Sequence, residues 1–123
     1  RGPLTDQAYL DAREQSRRLS RQGLDATLDR FKLDAVVAPT GAPPWKTDLV
    51  NGDTLVGSSS APAAASGYPS ITVPAGYADG LPVGITFIGR AWSEARLIKL
   101  AYAYEQATNH RRPPTFRPST AAP

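Results

Sequence analysis

Residues 70–89 read SITVPAGYADGLPVGITFIG, and this stretch carries the strongest structural pattern in the chain. Two runs rich in β-branched residues, 70–73 and 83–88, flank the dipeptide Asp79-Gly80, which is a strong turn signal. The local interpretation is therefore a β-hairpin. A longer connection to a non-adjacent strand stays open, because two further residues lengthen the link.

A third apolar run lies upstream of the hairpin. Residues 33–38 (LDAVVA) are rich in Val and Ala and stop at Pro39, which is typical of a buried strand. All three runs are short, and their β-branched residues fit a half-buried pleated surface. We therefore predict that 33–38, 70–73 and 83–88 are neighbouring strands of one sheet.

The N-terminal third has a helical pattern. Small and apolar residues recur at helical spacing over 5–22, opposite a charged face, and Thr5 is placed to cap the helix. Gly23 is expected to break or end this helix. A second, short helix is predicted over 24–32.

Two more helices flank the hairpin. Residues 58–66, rich in Ser and Ala, predict a small helix that stops at Gly67. Ser93 is the predicted cap of the last helix, which ends near His110. The order of elements is that of an α/β protein with too few strands for a large sheet of its own. The apolar stripe of the last helix consists of Leu97, Ile98, Ala101 and Tyr104.

The charge distribution argues against nucleic acid as a partner. The chain has 123 residues, with 14 Lys and Arg against 11 Asp and Glu, and its net charge is only +3. The basic residues gather at the two ends, over 13–21 and 111–117, whereas nucleic-acid-binding proteins concentrate them on one face. No apolar run approaches the roughly 20 residues that span a bilayer, so no membrane is expected either.

Cysteine and methionine are both absent. Without cysteine, disulfides and thiolate metal sites are excluded. Because the chain starts at Arg1 and holds no methionine, we expect it to be cut from a longer protein, with any targeting signal upstream. No secretory signal is present in the sequence, and the cytoplasm is the slightly favoured compartment.

Four ordered segments carry a family resemblance. They are LDAVVAPT at 33–40, AAASGYPSITVPAG at 63–76, GLPVGITFIGRAWSE at 80–94 and LAYAYEQATNHRRPP at 100–114. With these segments in this order and spacing, the chain resembles the C-terminal part of amidase signature enzymes. The form GYPSITVPAG, with Ala64 where many relatives carry Asn, is similar to the branch that contains peptide amidases.

The resemblance implies an α/β/α sandwich around a mixed sheet, with residues 1–113 as its C-terminal portion and 114–123 as a flexible, Pro-rich tail. It also implies amide hydrolysis in the parent enzyme. There a serine attacks the amide carbonyl, a second serine beside a cis peptide bond relays a proton, and a lysine acts as base. These groups belong to the N-terminal half, so no catalytic residue is assigned to this chain and no cofactor is implied.

The resemblance also implies partners. The first is the N-terminal portion of the same enzyme, which would carry the catalytic groups. The second is a small-molecule or peptide amide, as the substrate of the parent. A homo-oligomer is also compatible with the resemblance.

In the same family, the segment just before the small-residue helix contributes to the substrate pocket. This points to Ser58, Ser59 and Ser60 as lining residues. Trp45 is a further pocket-wall candidate, since it lies in the long loop 40–53 and loops of this length are more often functional than structural. In the competing interpretation the serines only cap the helix and Trp45 only anchors its loop.

Other candidate sites are weaker. Nothing links Asp34 with Asp53, so a carboxylate pair is not favoured. His110 lies beside two arginines at a helix end, where a solvated cation is expected. One histidine and scattered carboxylates give no metal-ligand spacing, so no metal site is assigned. Three glycines are expected to serve close packing in the sheet and not phosphate binding: Gly80, Gly84 and Gly89.

Three functional hypotheses follow from the sequence. The first is a portion of an amide hydrolase that is inactive alone. The second is an autonomous basic interaction module with its function in the Arg-rich ends. The third is a self-contained serine hydrolase that uses residues 58–60, although the glycines of an oxyanion hole and a neighbouring base are missing there.

Overall fold

The computed structural model describes residues 2–45, 47–53 and 56–116. Helices and strands both contribute, as expected of an α/β protein. Residues 117–123 of the predicted tail lie outside the described residues. In the described chain, no helix combines the length and the apolar character needed to cross a membrane. The elements are α1 (Gln7–Arg30), β1 (Val36–Pro39), α2 (Ser60–Ser66), β2 (Ser70–Ala78), β3 (Leu81–Ile88) and α3 (Glu94–Thr108).

The three strands form one antiparallel sheet in the order β1-β3-β2. Ile88 of β3 lies between Val36 of β1 and Ser70 of β2, which sets the register. The predicted hairpin and the predicted set of three neighbouring strands are both confirmed. Asp79 (φ 51°) and Gly80 (φ 77°) occupy the left-handed region that a two-residue hairpin turn requires.

The strand limits differ from the predicted ones. β1 begins at Val36, later than expected, and β2 continues to Ala78. β2 passes through a proline because its pairing with β3 shifts by one residue between Pro74 and Gly76. A bulge of this kind on an edge strand accommodates a residue that has no N–H to donate.

α1 is one continuous helix, so the predicted break at Gly23 and the predicted second helix are wrong. A glycine inside a helix costs only about 1 kcal/mol relative to alanine. The apolar face continues past it to Leu28, which is fully buried. The N-cap is Asp6 and not Thr5, and its side chain makes no capping hydrogen bond.

α2 packs against α1 through its small side chains. Ser66 is fully buried, and its hydroxyl donates to the Pro62 carbonyl at 2.7 Å. Arg21 of α1 donates from Nε to the Ser66 carbonyl at 2.8 Å, which joins the two helices. Gly67 ends α2 in the left-handed conformation (φ 70°), as predicted.

α3 packs against β2 and β3 and builds the core with them. Leu97 and Ala101 are buried, and the Tyr104 ring stands edge-on to Phe87 with the ring centres 5.9 Å apart. Ile98, expected in the same stripe, is 59% exposed. Successive helical residues point about 100° apart, so a helix that buries Leu97 turns its neighbour towards solvent.

The ends of α3 lie close to the predicted ones. Ser93 is the N-cap residue, as predicted, but its hydroxyl donates to the Arg90 carbonyl at 2.8 Å, and its side chain makes no capping hydrogen bond. The helix ends at Thr108, slightly earlier than expected, and Asn109 takes the left-handed conformation (φ 50°) that closes many helices.

A polar cluster connects α1 to the residues just before β2 and just after β3. The Tyr68 hydroxyl donates to Asp25 Oδ2 at 2.8 Å, and Arg90 reaches Asp25 at 3.4 Å and Asp29 at 2.5 Å. The hydrogen bond to Asp25, then desolvation and the Asp25 charge, raise the pKa of Tyr68. Since the Arg90 side chain is 39% exposed, water weakens these ion pairs.

Candidate functional site

The serine segment (residues 57–60) lies where β1 runs into the long loop. The Ser59 N–H donates to the Thr40 carbonyl at 3.2 Å, and the Ala42 N–H donates to the Gly57 carbonyl at 3.3 Å. These two bonds fix the segment to the end of β1 as a short antiparallel pairing. The sequence-predicted serines are therefore attached to the sheet and not only to α2.

The hydroxyls of the serine segment have different surroundings. Ser58 Oγ accepts the Ser60 N–H at 3.2 Å and lies 2.9 Å from Ser60 Oγ. Ser59 Oγ donates to the Thr40 carbonyl at 3.4 Å and is partly buried, whereas Ser58 and Ser60 are exposed. Ser58 thus supports the start of α2, and both exposed hydroxyls lie open to a ligand.

A row of three threonine hydroxyls, the threonine row, crosses the sheet next to this segment. Thr86 Oγ1 lies 2.8 Å from Thr40 Oγ1 on one side and 2.8 Å from Thr72 Oγ1 on the other. Thr72 and Thr86 are paired across β2 and β3, so their side chains share the face opposite Phe87. Thr86 is only 5% exposed, Thr72 is exposed and Thr40 is intermediate.

Gly84 leaves room for the threonine row. A Cβ at this position would lie 2.7 Å from Thr40 Oγ1 and 3.0 Å from Thr72 Cγ2. Gly89 is similarly close to α3, where a Cβ would lie 3.2 Å from the Leu97 side chain. The expectation of close packing is confirmed for these two glycines, whereas Gly80 serves the hairpin turn.

Trp45 lies in the loop, separate from the serine segment. Its Nε1 donates to Asp53 Oδ1 at 3.3 Å, and its side chain stays partly exposed. In the same loop, N–H groups of Asn51 and then Val50 donate to Asp48 and lower the pKa of that carboxyl. Among the described residues, no hydrogen bond joins Trp45 to the serines, so the structure does not link the two predicted sets.

The described part of the chain does not assemble a nucleophile with its base. No Lys or His side chain there forms a hydrogen bond with a hydroxyl of the serine segment. Asp34 pairs with Arg96 and Asp53 with Trp45, so these carboxylates have separate partners. No group of three or more potential metal ligands comes together within the described ranges. The arrangement presents hydroxyls to a ligand and offers no described base to activate them.

Sequence reasoning does not find the threonine row. Thr72 and Thr86 lie at nearly equal distances on either side of the turn at Asp79, which is a signal that they face each other. Thr40 has no such signal, because it lies just after β1, whose register against β3 the sequence does not define.

The chain belongs to the amidase family, whose model matches residues 3–98. The solved structure of native peptide amidase from Stenotrophomonas maltophilia matches it with a TM-score of 0.81 and 50% identity, covering 94% of this chain and 23% of that chain. A probable amidase of Arabidopsis thaliana is 41% identical over 106 residues, covering 85% of this chain and 18% of the relative.

A third relative is a glutamyl-tRNA(Gln) amidotransferase protein of Methanococcoides burtonii. It is 38% identical over 112 residues, covering 87% of this chain and 23% of the relative. The chain therefore spans a quarter or less of the length of the relatives it matches. The resemblance inferred from the sequence is confirmed, and the chain corresponds to one portion of a larger amidase.

Proposed function

We propose that this chain is the C-terminal portion of an amide hydrolase, where it lines part of the substrate pocket while the remaining portion supplies the catalytic groups. The observation that carries the proposal is the extent of the match, since 94% of this chain corresponds to 23% of a peptide amidase at 50% identity. The exposed hydroxyls without a described base fit a portion that binds and does not cleave. In this proposal residues 1–113 form the amidase portion and 114–123 the tail.

The proposed substrate is a small linear amide or the amide of a peptide. Identity is higher with the peptide amidase, at 50%, than with the amidotransferase protein, at 38%, which favours a peptide amide. The exposed hydroxyls of Ser58 and Ser60 are suited to donate to or accept from peptide groups. Trp45 offers an apolar wall with one N–H donor.

The bond-breaking step is assigned to the portion outside this chain. There a serine attacks the amide carbonyl, the C–N bond breaks as the amine takes a proton, and water releases the acid from the acyl-enzyme. No residue of this chain is given a catalytic role in that sequence. Its contribution is to hold the amide in place for the attack.

A hybrid enzyme tests the proposal. In the hybrid, this chain replaces the matching segment of the S. maltophilia peptide amidase, and release of ammonia from a C-terminally amidated peptide is measured. We expect turnover within about tenfold of the unmodified amidase. The matched control is the same amidase with the segment deleted, which should be inactive. A folded, soluble hybrid without turnover would contradict the proposed function.

The hybrid also tests the proposed lining residues. The double variant Ser58→Ala/Ser60→Ala removes both exposed hydroxyls and should raise KM for the amidated peptide more than it lowers kcat. Trp45→Ala should raise KM for peptides with an apolar residue next to the amide. If neither variant changes KM, the serine segment and Trp45 do not line the pocket.

A further inference from the structure

Thr40 is the residue through which the serine segment is attached to the sheet. Its N–H donates to the Gly84 carbonyl at 2.9 Å, and its own carbonyl accepts the N–H and the hydroxyl of Ser59 at 3.2 and 3.4 Å. Its side-chain hydroxyl is fixed by Thr86 at 2.8 Å. Thr40 therefore connects Ser59 to β3.

Within the threonine row, Thr86 occupies the position that water replaces least easily. Each hydroxyl has one proton to donate and can accept two hydrogen bonds, so Thr86 donates to one neighbour at most and accepts from at least one. Thr86 is 5% exposed, whereas Thr72 is exposed and water can take over its hydrogen bond. Loss of the Thr86 hydroxyl removes the side-chain partner that Thr40 has among the described residues, whereas loss of the Thr72 hydroxyl keeps the bond between Thr40 and Thr86.

We propose that Thr86 is a positioning residue for the substrate pocket, which acts through Thr40 to hold the serine segment against the amide substrate. Thr86 itself does not touch the substrate. The inference rests on the proposed function, in which the exposed hydroxyls of Ser58 and Ser60 line the pocket. Gly84 supports the same arrangement, because a Cβ there would lie 2.7 Å from Thr40 Oγ1 and one of the two residues would have to shift.

A purely structural role for the threonine row predicts a different outcome. Thr86 makes the same 2.8 Å contact with Thr40 as with Thr72. If the row only joined strands, Thr86→Val would lower the stability more than Thr72→Val, because it removes both hydrogen bonds, but neither variant would change KM. Only the positioning role predicts that KM for the substrate changes in Thr86→Val and stays unchanged in Thr72→Val.

The hybrid enzyme with three single substitutions tests the inference. Thr86→Val removes the central hydroxyl, Thr72→Val is the control of the same shape, and Thr86→Ser restores the hydroxyl. Two quantities are measured: amide hydrogen exchange of the peptide that contains residues 57–60, and kcat and KM for a C-terminally amidated peptide. The exchange does not depend on turnover.

For Thr86→Val we expect exchange of the serine segment to become about tenfold faster and KM to rise about tenfold, which corresponds to about 1.4 kcal/mol. The kcat value should change by less than about twofold. Thr72→Val should leave both quantities within about twofold of the parent hybrid, and Thr86→Ser should recover the parent values.

Two results would overturn the inference. One is equal behaviour of Thr86→Val and Thr72→Val in exchange and in KM. The other is faster exchange in Thr86→Val with an unchanged KM, which would mean that the held segment does not contact the substrate. An inactive parent hybrid would instead count against the proposed function, and the exchange data would still show whether Thr86 holds the serine segment.

Discussion

At single residues, Gly23 and Gly84 show two opposite reasons for the absence of a side chain. A Cβ at Gly23 would meet no atom within 4 Å, whereas a Cβ at Gly84 would meet Thr40 Oγ1 at 2.7 Å. The first glycine lies in the middle of α1 and lowers the stability of the helix, because glycine loses more backbone entropy on folding. The second is required by the close approach of the Thr40 and Thr72 side chains to β3.

These two positions give a paired prediction for the stability of the hybrid enzyme. Gly23→Ala should stabilise the chain by about 0.5–1 kcal/mol, because alanine loses less backbone entropy in a helix. Gly84→Ala should destabilise it by about 1–3 kcal/mol, because the added methyl overpacks the threonine row. Urea unfolding midpoints measure both changes in stability. A Gly84→Ala variant as stable as the parent would show that the threonine side chains can move to accommodate the methyl group.

Tyr68 gives a prediction about pH. Its hydroxyl bond to Asp25 raises its pKa above the ordinary value of about 10, so the folded chain keeps this proton longer than the unfolded chain. A raised folded-state pKa contributes stability that is complete below pH about 10 and is lost as the pH rises further. Tyr68→Phe should therefore be less stable by about 1 kcal/mol at neutral pH and should lack this alkaline loss.

The control for this measurement is Tyr102→Phe, since Tyr102 is 62% exposed on α3. Unfolding midpoints are compared for the two variants between neutral pH and pH about 11. If the unfolding midpoints of Tyr68→Phe and of the parent chain depend on pH in the same way, the hydrogen bond to Asp25 does not contribute to the pH dependence of stability.

At the scale of helices and strands, the sequence allows most elements to be predicted but not all of their limits. The hairpin is found because Asp79-Gly80 has one favourable conformation between two β-branched runs. The predicted break at Gly23 is wrong because one glycine destabilises a helix less than the packing of a long amphipathic face stabilises it. The role of Thr40 is not predictable, because it depends on a contact between residues far apart in sequence.

α3 gives the sharpest prediction at this scale. Leu97 is 1% exposed and packs in the core with Val73 and Phe87. Leu97→Ala should therefore lower the free energy of unfolding by about 2–5 kcal/mol. Ile98, its neighbour, is 59% exposed, and Ile98→Ala should change stability by less than about 0.5 kcal/mol. Comparable losses in urea unfolding would contradict the observed orientation of α3.

For the whole molecule, the main feature is an exposed surface that consists of open strand edges and an apolar groove. The relatives are longer than this chain and have further residues that can cover such a surface. In the part of the chain that is described, β1 and β2 are edge strands of a three-stranded sheet. An apolar groove of about 500 Å³ opens on the sheet. Open edges and apolar grooves of this kind favour association. The groove is lined in part by Val37, Pro39, Pro43, Ala75, Val83 and Ile85.

We therefore predict that the isolated chain self-associates or binds a fluorescent apolar dye. Val37→Asp should reduce dye binding, because Val37 lines the groove and is 53% exposed. Leu49→Asp is the matched control, since Leu49 is 93% exposed in the loop. Sedimentation measures the association. A monodisperse, dye-silent monomer with a sharp thermal transition would mean that the chain is a complete domain.

We propose that this chain is a portion of an amidase whose catalytic groups lie outside it, and the described residues assemble no nucleophile with its base. The most direct measurement is amide hydrolysis by the purified 123-residue chain, with C-terminally amidated peptides and simple amides as substrates and the hybrid enzyme as positive control. We expect turnover by the hybrid and none by the isolated chain. Turnover by the isolated chain that disappears in Ser58→Ala, Ser59→Ala or Ser60→Ala would contradict this expectation.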